Sequence, residues 1–189
     1  MIKLDKVTKK YGEQTVLDRF SLTLKKGSKT VITGESGIGK TTILRILAGL
    51  EKPDGGEIIC DEKIAVMFQE PRLLPWKTAL ENVRAPLSRD QFPLADKYLA
   101  AVGLGEDKNK FPQELSGGMA QRAALARLLA FAEANGSTLL LLDEPFSALD
   151  GETAAKMLEL IKAFAVGKTV LMVAHHLPDS CFADEIITL

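Results

Sequence analysis

At 189 residues, with 46% hydrophobic and 26% charged residues, the chain is long enough to bury a sizeable core and fits one α/β domain. No apolar run approaches the roughly 18 residues that a membrane-spanning helix needs, and the N-terminus lacks the apolar core of a signal peptide, so we expect a cytoplasmic protein. A net charge of −1, with scattered basic residues, offers no electrostatic footprint for nucleic acid. We therefore expect no nucleic-acid partner.

The N-terminal segment predicts two antiparallel strands, at residues 2–7 and 20–24, with a turn at residues 11–13. Apolar residues alternate along the second of these strands, as is typical of a strand with one buried face. Tyr11 follows the first strand. Its ring either stacks on a flat base such as adenine or covers the end of the strand, and the residues alone favour neither role.

A loop rich in glycine follows the apolar segment 29–33 and precedes an amphipathic helix pattern that begins at Thr42. The loop matches the phosphate-binding pattern G-x-x-x-x-G-K-[ST] and consists of Gly34-Glu35-Ser36-Gly37-Ile38-Gly39-Lys40-Thr41. Glycines let backbone N–H groups approach a polyphosphate, Lys40 reaches the β- and γ-phosphates, and the Thr41 hydroxyl is a ligand for Mg²⁺. We expect the whole loop, with Thr42, to bind a nucleotide.

Two short strands are predicted next, at residues 57–60 and 64–68, and the second leads to Gln69 at the start of a polar, proline-containing loop. A glutamine at the carboxyl end of a parallel strand can contact the metal or the attacking water of a bound nucleotide. Gln69 is therefore a candidate metal ligand and catalytic residue. The alternative is a solvated glutamine in a loop.

Residues 78–81 form a capping-box pattern that predicts a short helix, and the polar stretch 86–112 contains one amphipathic helix near residues 94–102. We interpret residues 77–130, approximately, as a small inserted helical subdomain.

Ser116, Gly117 and Gly118 directly precede a long predicted helix. A hydroxyl and two glycines at a helix start can form a second anion-binding N-terminus. The alternative is a plain serine N-cap followed by flexible glycines.

The apolar run 138–142 predicts a strand that is buried on both faces of a parallel sheet, and it ends in Asp143 and Glu144. Both carboxylates would then emerge at the edge of the sheet where the phosphate loop lies. We expect Asp143 to bind Mg²⁺ and Glu144 to polarise a water molecule as a general base.

Another apolar strand, residues 169–173, runs towards His175 and His176. A histidine at this strand end can bond a γ-phosphate or the attacking water, or it can be a structural polar end. A short helix near residues 179–183 and a strand at 185–188 complete the predicted elements.

These segments converge on one edge of a parallel sheet, which predicts hydrolysis of a magnesium-bound nucleotide. The segment 116–118 does not fit within such a site, because it lacks a lysine or a metal ligand of its own. A half-site implies a partner, and two copies arranged head to tail about a two-fold axis would complete each other's pockets.

Taken together, these motifs resemble the ATP-binding cassette (ABC) ATPase family, in the family's order along almost the whole chain. The resemblance implies a single α/β domain, residues 1–189, with a P-loop NTPase core, a mainly parallel sheet and an N-terminal antiparallel β subdomain. It also implies ATP and Mg²⁺ as cofactors and a homodimer with composite ATP sites.

The resemblance further assigns roles to individual residues. Tyr11 would stack on adenine, the Gln69 loop would sense a membrane subunit, and Asp150 would lie at the dimer interface. Residues 116–118 would contact the γ-phosphate bound by the other subunit. His175 matches the family's switch position, which leaves a structural role for His176.

Residues 68–83 further resemble bacterial importers of the nitrate, sulfonate and taurine type. This implies an ATP-hydrolysing subunit at the inner face of the cell membrane, with permease subunits on separate chains. The chain departs from the pattern in its compact connecting segments and in Ala174 and His176, where threonine and aspartate are commoner.

The sequence disfavours three other functions. A soluble ABC-type ATPase of DNA repair or translation usually carries a coiled-coil insertion or two cassettes, neither of which is present in this sequence. A non-catalytic nucleotide sensor is disfavoured by the presence of Glu144 and His175. A GTPase is disfavoured because the sequence lacks an Asn-Lys-x-Asp motif for reading guanine.

Overall fold

The computed structural model describes residues 2–174, 179 and 182–189. In chain order the strands are β1 (Ile2–Tyr11), β2 (Gln14–Leu24), β3 (Lys29–Thr33), β4 (Gly55–Cys60), β5 (Ile64–Met67), β6 (Leu139–Asp143), β7 (Thr169–Val173) and β8 (Glu185–Thr188). The α-helices are α1 (Lys40–Leu47), α2 (Ala79–Arg84), α3 (Pro93–Ala101), α4 (Gly117–Asn135) and α5 (Gly151–Phe164). Single 3₁₀ turns lie at Arg89–Gln91 and Pro112–Glu114.

A parallel sheet with the strand order β5-β6-β7-β3-β8 forms the centre of the fold. Every residue of β6 and of β7 is buried, as expected for strands that are covered on both faces. The predicted mainly parallel sheet is confirmed. Because parallel strands share one carboxyl edge, the segments that follow β3, β5 and β6 all lie along that edge.

An antiparallel sheet with the order β2-β1-β4 forms the second layer. Its strands are longer than the sequence patterns predicted, because pairing of Tyr11 with Gln14 carries β1 and β2 to a tight hairpin turn. Buried side chains of this sheet, such as Leu4 and Leu24, share one hydrophobic cluster with Ile43 of α1 and Leu141 of β6. The antiparallel sheet therefore packs against the phosphate-loop helix.

Helices α2 and α3 both pack on α4. Thr78 caps α2 as predicted, since its hydroxyl accepts a hydrogen bond from the Glu81 backbone at 3.2 Å and the Glu81 carboxylate accepts one from the Thr78 backbone at 2.8 Å. Side chains of these helices, such as Leu99, share a hydrophobic cluster with Leu140 of β6. The subdomain boundaries near residues 77 and 130 stay a prediction.

Within the described ranges, no helix combines the length and the apolar character that crossing a bilayer requires.

The predicted helix near residues 179–183 lies partly outside those ranges, whereas the predicted strand at 185–188 is present as β8.

Candidate active site

A cavity of about 520 Å³ opens at the carboxyl edge of the parallel sheet. Its walls come from the β1–β2 hairpin, the phosphate loop with the start of α1, and the residues that follow β5 and β6. Nine of the predicted site residues line it: Tyr11, Ser36, Gly37, Gly39, Lys40, Thr41, Thr42, Gln69 and Glu144. Segments far apart in sequence therefore face one space.

The phosphate loop encloses the ammonium group of Lys40. Its Nζ donates hydrogen bonds to the carbonyl oxygens of Gly34 at 2.8 Å and Glu35 at 2.6 Å, and the residue is only 5% exposed. Gly39 precedes α1 with φ 110° and supplies no side-chain cap, so N–H groups of the first helical turn are left without an intrahelical partner. An uncapped helix start beside a lysine is suited to bind an anion.

Gly39 is required by space as well as by conformation. A Cβ atom added to it would come within 3.0 Å of the side chains of Val16 and Leu17. Its φ of 110° also lies in a region that side chains disfavour. Val16 and Leu17 of β2 therefore pack against the phosphate loop at Gly39 and fix its position.

Asp143 lies at the end of β6 and is only 1% exposed. Burial raises the pKa of its carboxyl group, the negative charge of Glu144 adds to this, and a hydrogen bond from the Thr41 hydroxyl opposes it. Among the residues described, Oδ1 of Asp143 is buried without a hydrogen-bond partner.

A buried carboxylate with a vacant acceptor beside a hydroxyl fits a divalent cation, because Mg²⁺ takes oxygen ligands. The described residues contain no cluster of three or more His, Cys, Asp or Glu that could hold a metal by themselves. Mg²⁺ sites in phosphoryl transfer commonly combine one or two protein oxygens with phosphate oxygens.

Glu144 follows Asp143 and faces the cavity. Nε2 of Gln69 donates a hydrogen bond to its Oε2 at 3.1 Å, which joins the residues that follow β5 and β6. The backbone of Glu144 has φ 46°, in the left-handed region that non-glycine residues rarely adopt. Such a conformation persists only where the surroundings hold it, and it is frequent at functional sites.

Tyr11 is 44% exposed and contributes an aromatic surface to the cavity wall. The ammonium of Lys9 lies 5.3 Å from the centroid of its ring, within cation–π range. Partial burial raises the pKa of the phenol, and a hydrogen bond to Glu51 adds to this. Its role in stacking on adenine stays a prediction.

The segment 116–118 does not line the cavity of its own chain. The Ser116 hydroxyl caps α4 by accepting a hydrogen bond from the Met119 backbone at 3.2 Å. Gly118 packs against the turn before α5, where an added Cβ atom would lie 3.0 Å from the carbonyl oxygen of Ala148. In the same turn, Asp150 caps α5 by accepting a hydrogen bond from the Thr153 backbone at 2.9 Å. The contact of this segment with a nucleotide in a second copy stays a prediction.

His175 and His176 lie outside the described residues, so their predicted roles stay predictions. Gly34, Glu35 and Ile38 belong to the phosphate loop but do not line the cavity, and Asp143 lies beneath its surface.

Three residues that line the cavity were not predicted: Gln14, Val16 and Arg45. Arg45 lies four residues after Thr41, so the helical period was the signal that would have identified it. Gln14 enters the cavity wall because it pairs with Tyr11, and that register is not visible in the sequence alone.

Comparisons with known proteins agree with this geometry. Residues 17–147 match the family model described as ABC transporter. The chain is 42% identical to an aliphatic sulfonates import ATP-binding protein, SsuB 3, of Rhodococcus jostii, over 100% of this chain and 70% of that protein. It is 44% identical to SsuB 3 of Paraburkholderia xenovorans, over 96% of this chain and 73% of that protein.

Among solved structures, the dimeric post-hydrolysis state of the ATP-binding cassette MJ0796, bound to ADP and Pi, matches with a TM-score of 0.90 and 36% identity. The match covers 100% of this chain and 94% of that chain. The family model spans well over half of the chain, and relatives and solved structures extend the match to its full length. The chain therefore belongs to the ABC transporter family, as an ATP-binding and ATP-hydrolysing subunit.

Proposed function

We propose that this chain hydrolyses magnesium-bound ATP to drive import of a small sulfonate-type solute through separate membrane permease subunits. The observation that carries the proposal is the convergence of Lys40, Thr41, Gln69 and Glu144 on one cavity, with Asp143 beneath it. Phosphate binding, metal ligation and a base for water thereby meet in one space.

Each side chain has a distinct task in this mechanism. Lys40 and the N–H groups of the phosphate loop bind the β- and γ-phosphates and stabilise the charge that develops on them. Thr41 and Asp143 would hold Mg²⁺, with Gln69 beside them, and a bound Mg²⁺ neutralises phosphate charge. Glu144 accepts a proton from the attacking water, and the Gln69 amide orients its carboxylate. Tyr11 stacks on the adenine ring.

The composite site is the second part of the proposal. Residues 116–118 offer an anion-binding helix start, but no lysine or carboxylate occurs between residues 115 and 121. In a symmetric dimer, this segment of each copy would face the nucleotide in the other copy. The structurally similar cassette MJ0796 is dimeric, which supports this arrangement.

The membrane partner and the cargo rest on the relatives. The named relatives import aliphatic sulfonates, and this favours a transport role over a soluble ATPase of DNA repair or translation. A permease contact would place the chain at the cytoplasmic face of the membrane. Trp76, in the loop that follows Gln69, is 70% exposed and is suited to such a contact.

A Glu144→Gln substitution tests the enzyme assignment, with Glu159→Gln on the exposed face of α5 as the matched control. We expect Glu144→Gln to abolish turnover and to accumulate an ATP-bound dimer in size-exclusion chromatography, because the base is lost while binding remains. A variant that stays monomeric and hydrolyses ATP at the parent rate would contradict both the base and the dimer.

The transport assignment needs a separate test. Uptake of a radiolabelled alkanesulfonate by cells of the source organism should fall to background when Lys40→Ala replaces the parent chain. Copurification of the tagged parent from those membranes should recover a polytopic subunit. Uptake that is independent of the chain would contradict the cargo and leave the ATPase assignment standing.

A further inference from the structure

We propose that helix α4 sets the position of the Gln69–Glu144 pair through two side chains, Gln121 and Arg127, which act as positioning residues for hydrolysis. The inference rests on the proposed function, in which Glu144 is the base for water. It adds to that function a physical link between the catalytic carboxylate and the helix that begins after Ser116.

Gln121 holds the backbone of Glu144. It is 1% exposed, and its Nε2 donates a hydrogen bond to the Glu144 carbonyl oxygen at 3.2 Å. On the other side, the Glu144 backbone N–H donates to the carbonyl oxygen of Val173 at 2.9 Å. Since φ of Glu144 is 46°, these two bonds hold a conformation that the residue would otherwise leave. Loss of the Gln121 bond would let the carboxylate move away from its water.

Arg127 holds the loop that carries Gln69. Its guanidinium donates to the carbonyl oxygens of Pro71 at 2.6 Å and Arg72 at 3.0 Å, so that one planar group fixes two successive residues. Burial lowers the pKa of Arg127. The loop is fixed again by Arg72, whose guanidinium lies 4.2 Å from the ring centroid of Phe68. Gln69 thus lies between two anchored points.

Both side chains act on Glu144, one through its backbone and the other through its carboxylate. Gln121 acts on the backbone of Glu144, whereas Arg127 acts through Gln69, whose amide bonds the Glu144 side chain at 3.1 Å. The two side chains leave α4 about 9 Å apart along the helix axis. Because Ser116 caps the same helix, α4 connects the half-site for a second copy's nucleotide with the base of its own chain.

The chain supplies two matched controls, one on α4 and one that contacts α4 from the 3₁₀ turn Arg89–Gln91. Arg122 also donates from its guanidinium to two successive carbonyl oxygens, those of Val102 at 2.7 Å and Gly103 at 3.1 Å, which follow α3 rather than β5. Gln91 donates from its amide to the Ala134 carbonyl oxygen at 3.3 Å, near the far end of α4. Arg122→Met and Gln91→Met therefore remove the same kinds of bond away from the cavity.

The experiment measures kcat, KM and the ATP dissociation constant of the full chain. We expect Gln121→Met and Arg127→Met to lower kcat on the order of 10- to 100-fold, while the ATP dissociation constant stays at the parent value. The two control variants should keep the parent kcat. Equal losses of kcat in all four variants, or no loss in any, would overturn the inference, because helix stability alone predicts equal effects.

Two milder variants serve if the methionine variants do not fold. Arg127→Lys retains the charge but loses the fork, so kcat should lie between those of the parent and Arg127→Met. Gln121→Glu retains the shape of the side chain but places an acceptor against the Glu144 carbonyl, and kcat should fall. Parent-like kcat in both variants would also overturn the inference.

A double-mutant cycle tests the route through Gln69. In a Gln69→Met background, Arg127→Met should have no further effect on kcat, because the amide through which it acts is already gone. Gln121→Met should still lower kcat in that background. The route is wrong if Arg127→Met lowers kcat by the same factor in both backgrounds.

Glu144→Gln, measured in the same assay, separates this inference from the function on which it rests. If that variant hydrolyses ATP like the parent, the proposed base is wrong. If it is inactive while Gln121→Met and Arg127→Met behave like their controls, the base stands and only the positioning role of α4 is wrong.

Discussion

The starts of α1 and α4 are two versions of one device, a glycine-rich segment that leads into a helix. The start of α1 has no side-chain cap, and Lys40 lies beside it in the cavity wall. The start of α4 is capped by the Ser116 hydroxyl and lies outside the cavity, with Gly118 packed against the carbonyl of Ala148. The N-cap residues also differ in backbone conformation, since Gly39 is left-handed and Ser116 is extended. Lys40 gives the first segment a cation of its own, whereas residues 115–121 contain no lysine or arginine.

A helix N-terminus alone is not sufficient for a phosphate site. Its partial positive charge is worth about 1 kcal/mol at an exposed position, whereas hydrogen bonds to a charged group contribute about 1.5–3 kcal/mol each. The start of α1 therefore has the means to hold a nucleotide by itself. In the proposed dimer, the start of α4 would instead contact a phosphate that the other copy already holds.

Removal of Lys40 should cause the largest loss of ATP affinity, because Lys40 distinguishes the start of α1 from the start of α4. We expect Lys40→Ala to weaken ATP binding by on the order of 100-fold, because at least two charge-assisted contacts to phosphate are lost. Isothermal titration calorimetry measures this, with Lys156→Ala on α5 as the control. Parent-like affinity of Lys40→Ala would mean that the loop is not the phosphate site.

Substitution at the start of α4 should spare ATP binding and remove hydrolysis. Ser116→Arg places a long cation in the half-site, so each chain should bind ATP normally while its homodimer is inactive. Mixing this variant with Lys40→Ala should restore hydrolysis to about one quarter of the parent rate, because half of the dimers then contain one intact composite site. A mixture as inactive as its two components would show that the sites are not shared between copies.

Local patterns next to apolar runs predicted the positions of the phosphate loop, between β3 and α1, and of Asp143 and Glu144, at the end of β6. The parallel sheet followed from the same runs. Gln121 and Arg127 were not predicted, because helical periodicity shows which face a residue occupies but not which backbone carbonyls of another segment meet it. The hairpin register that brings Gln14 into the cavity was missed for the same reason.

The buried carboxyl group of Asp143, beside Thr41 of α1, should make the stability of the fold depend on pH. Since burial raises the pKa of Asp143 above its unfolded value, the folded chain holds this proton more tightly. The stability of the parent should therefore fall relative to Asp143→Asn as pH rises through the window between the unfolded and folded pKa values. Metal-free thermal melts from acid to neutral pH measure the difference in stability, which should stop changing with pH below the unfolded pKa.

At neutral pH, ATP with Mg²⁺ should stabilise the parent more than it stabilises Asp143→Asn. With ATP and Mg²⁺ present, the melting temperature of the parent should rise more than that of Asp143→Asn, because the carboxylate gains a cation as its partner. Ser116→Ala serves as the control, since it loses a cap worth about 1 kcal/mol at every pH. A pH-independent difference between Asp143→Asn and the parent would contradict the buried, ionisable state of Asp143.

The smallest expected effect concerns the adenine ring of ATP rather than its phosphates. Tyr11→Ala should weaken ATP binding by about 5- to 10-fold, since one aromatic stacking contact is worth about 1 kcal/mol beyond its buried area. Binding of inorganic tripolyphosphate should not change, because Lys40 and the start of α1 remain intact. Equal losses of affinity for both ligands, measured by competition, would show that Tyr11 supports the β1–β2 hairpin that packs against Gly39 and does not stack on adenine. Phosphate binding at the start of α1 would then depend on that hairpin.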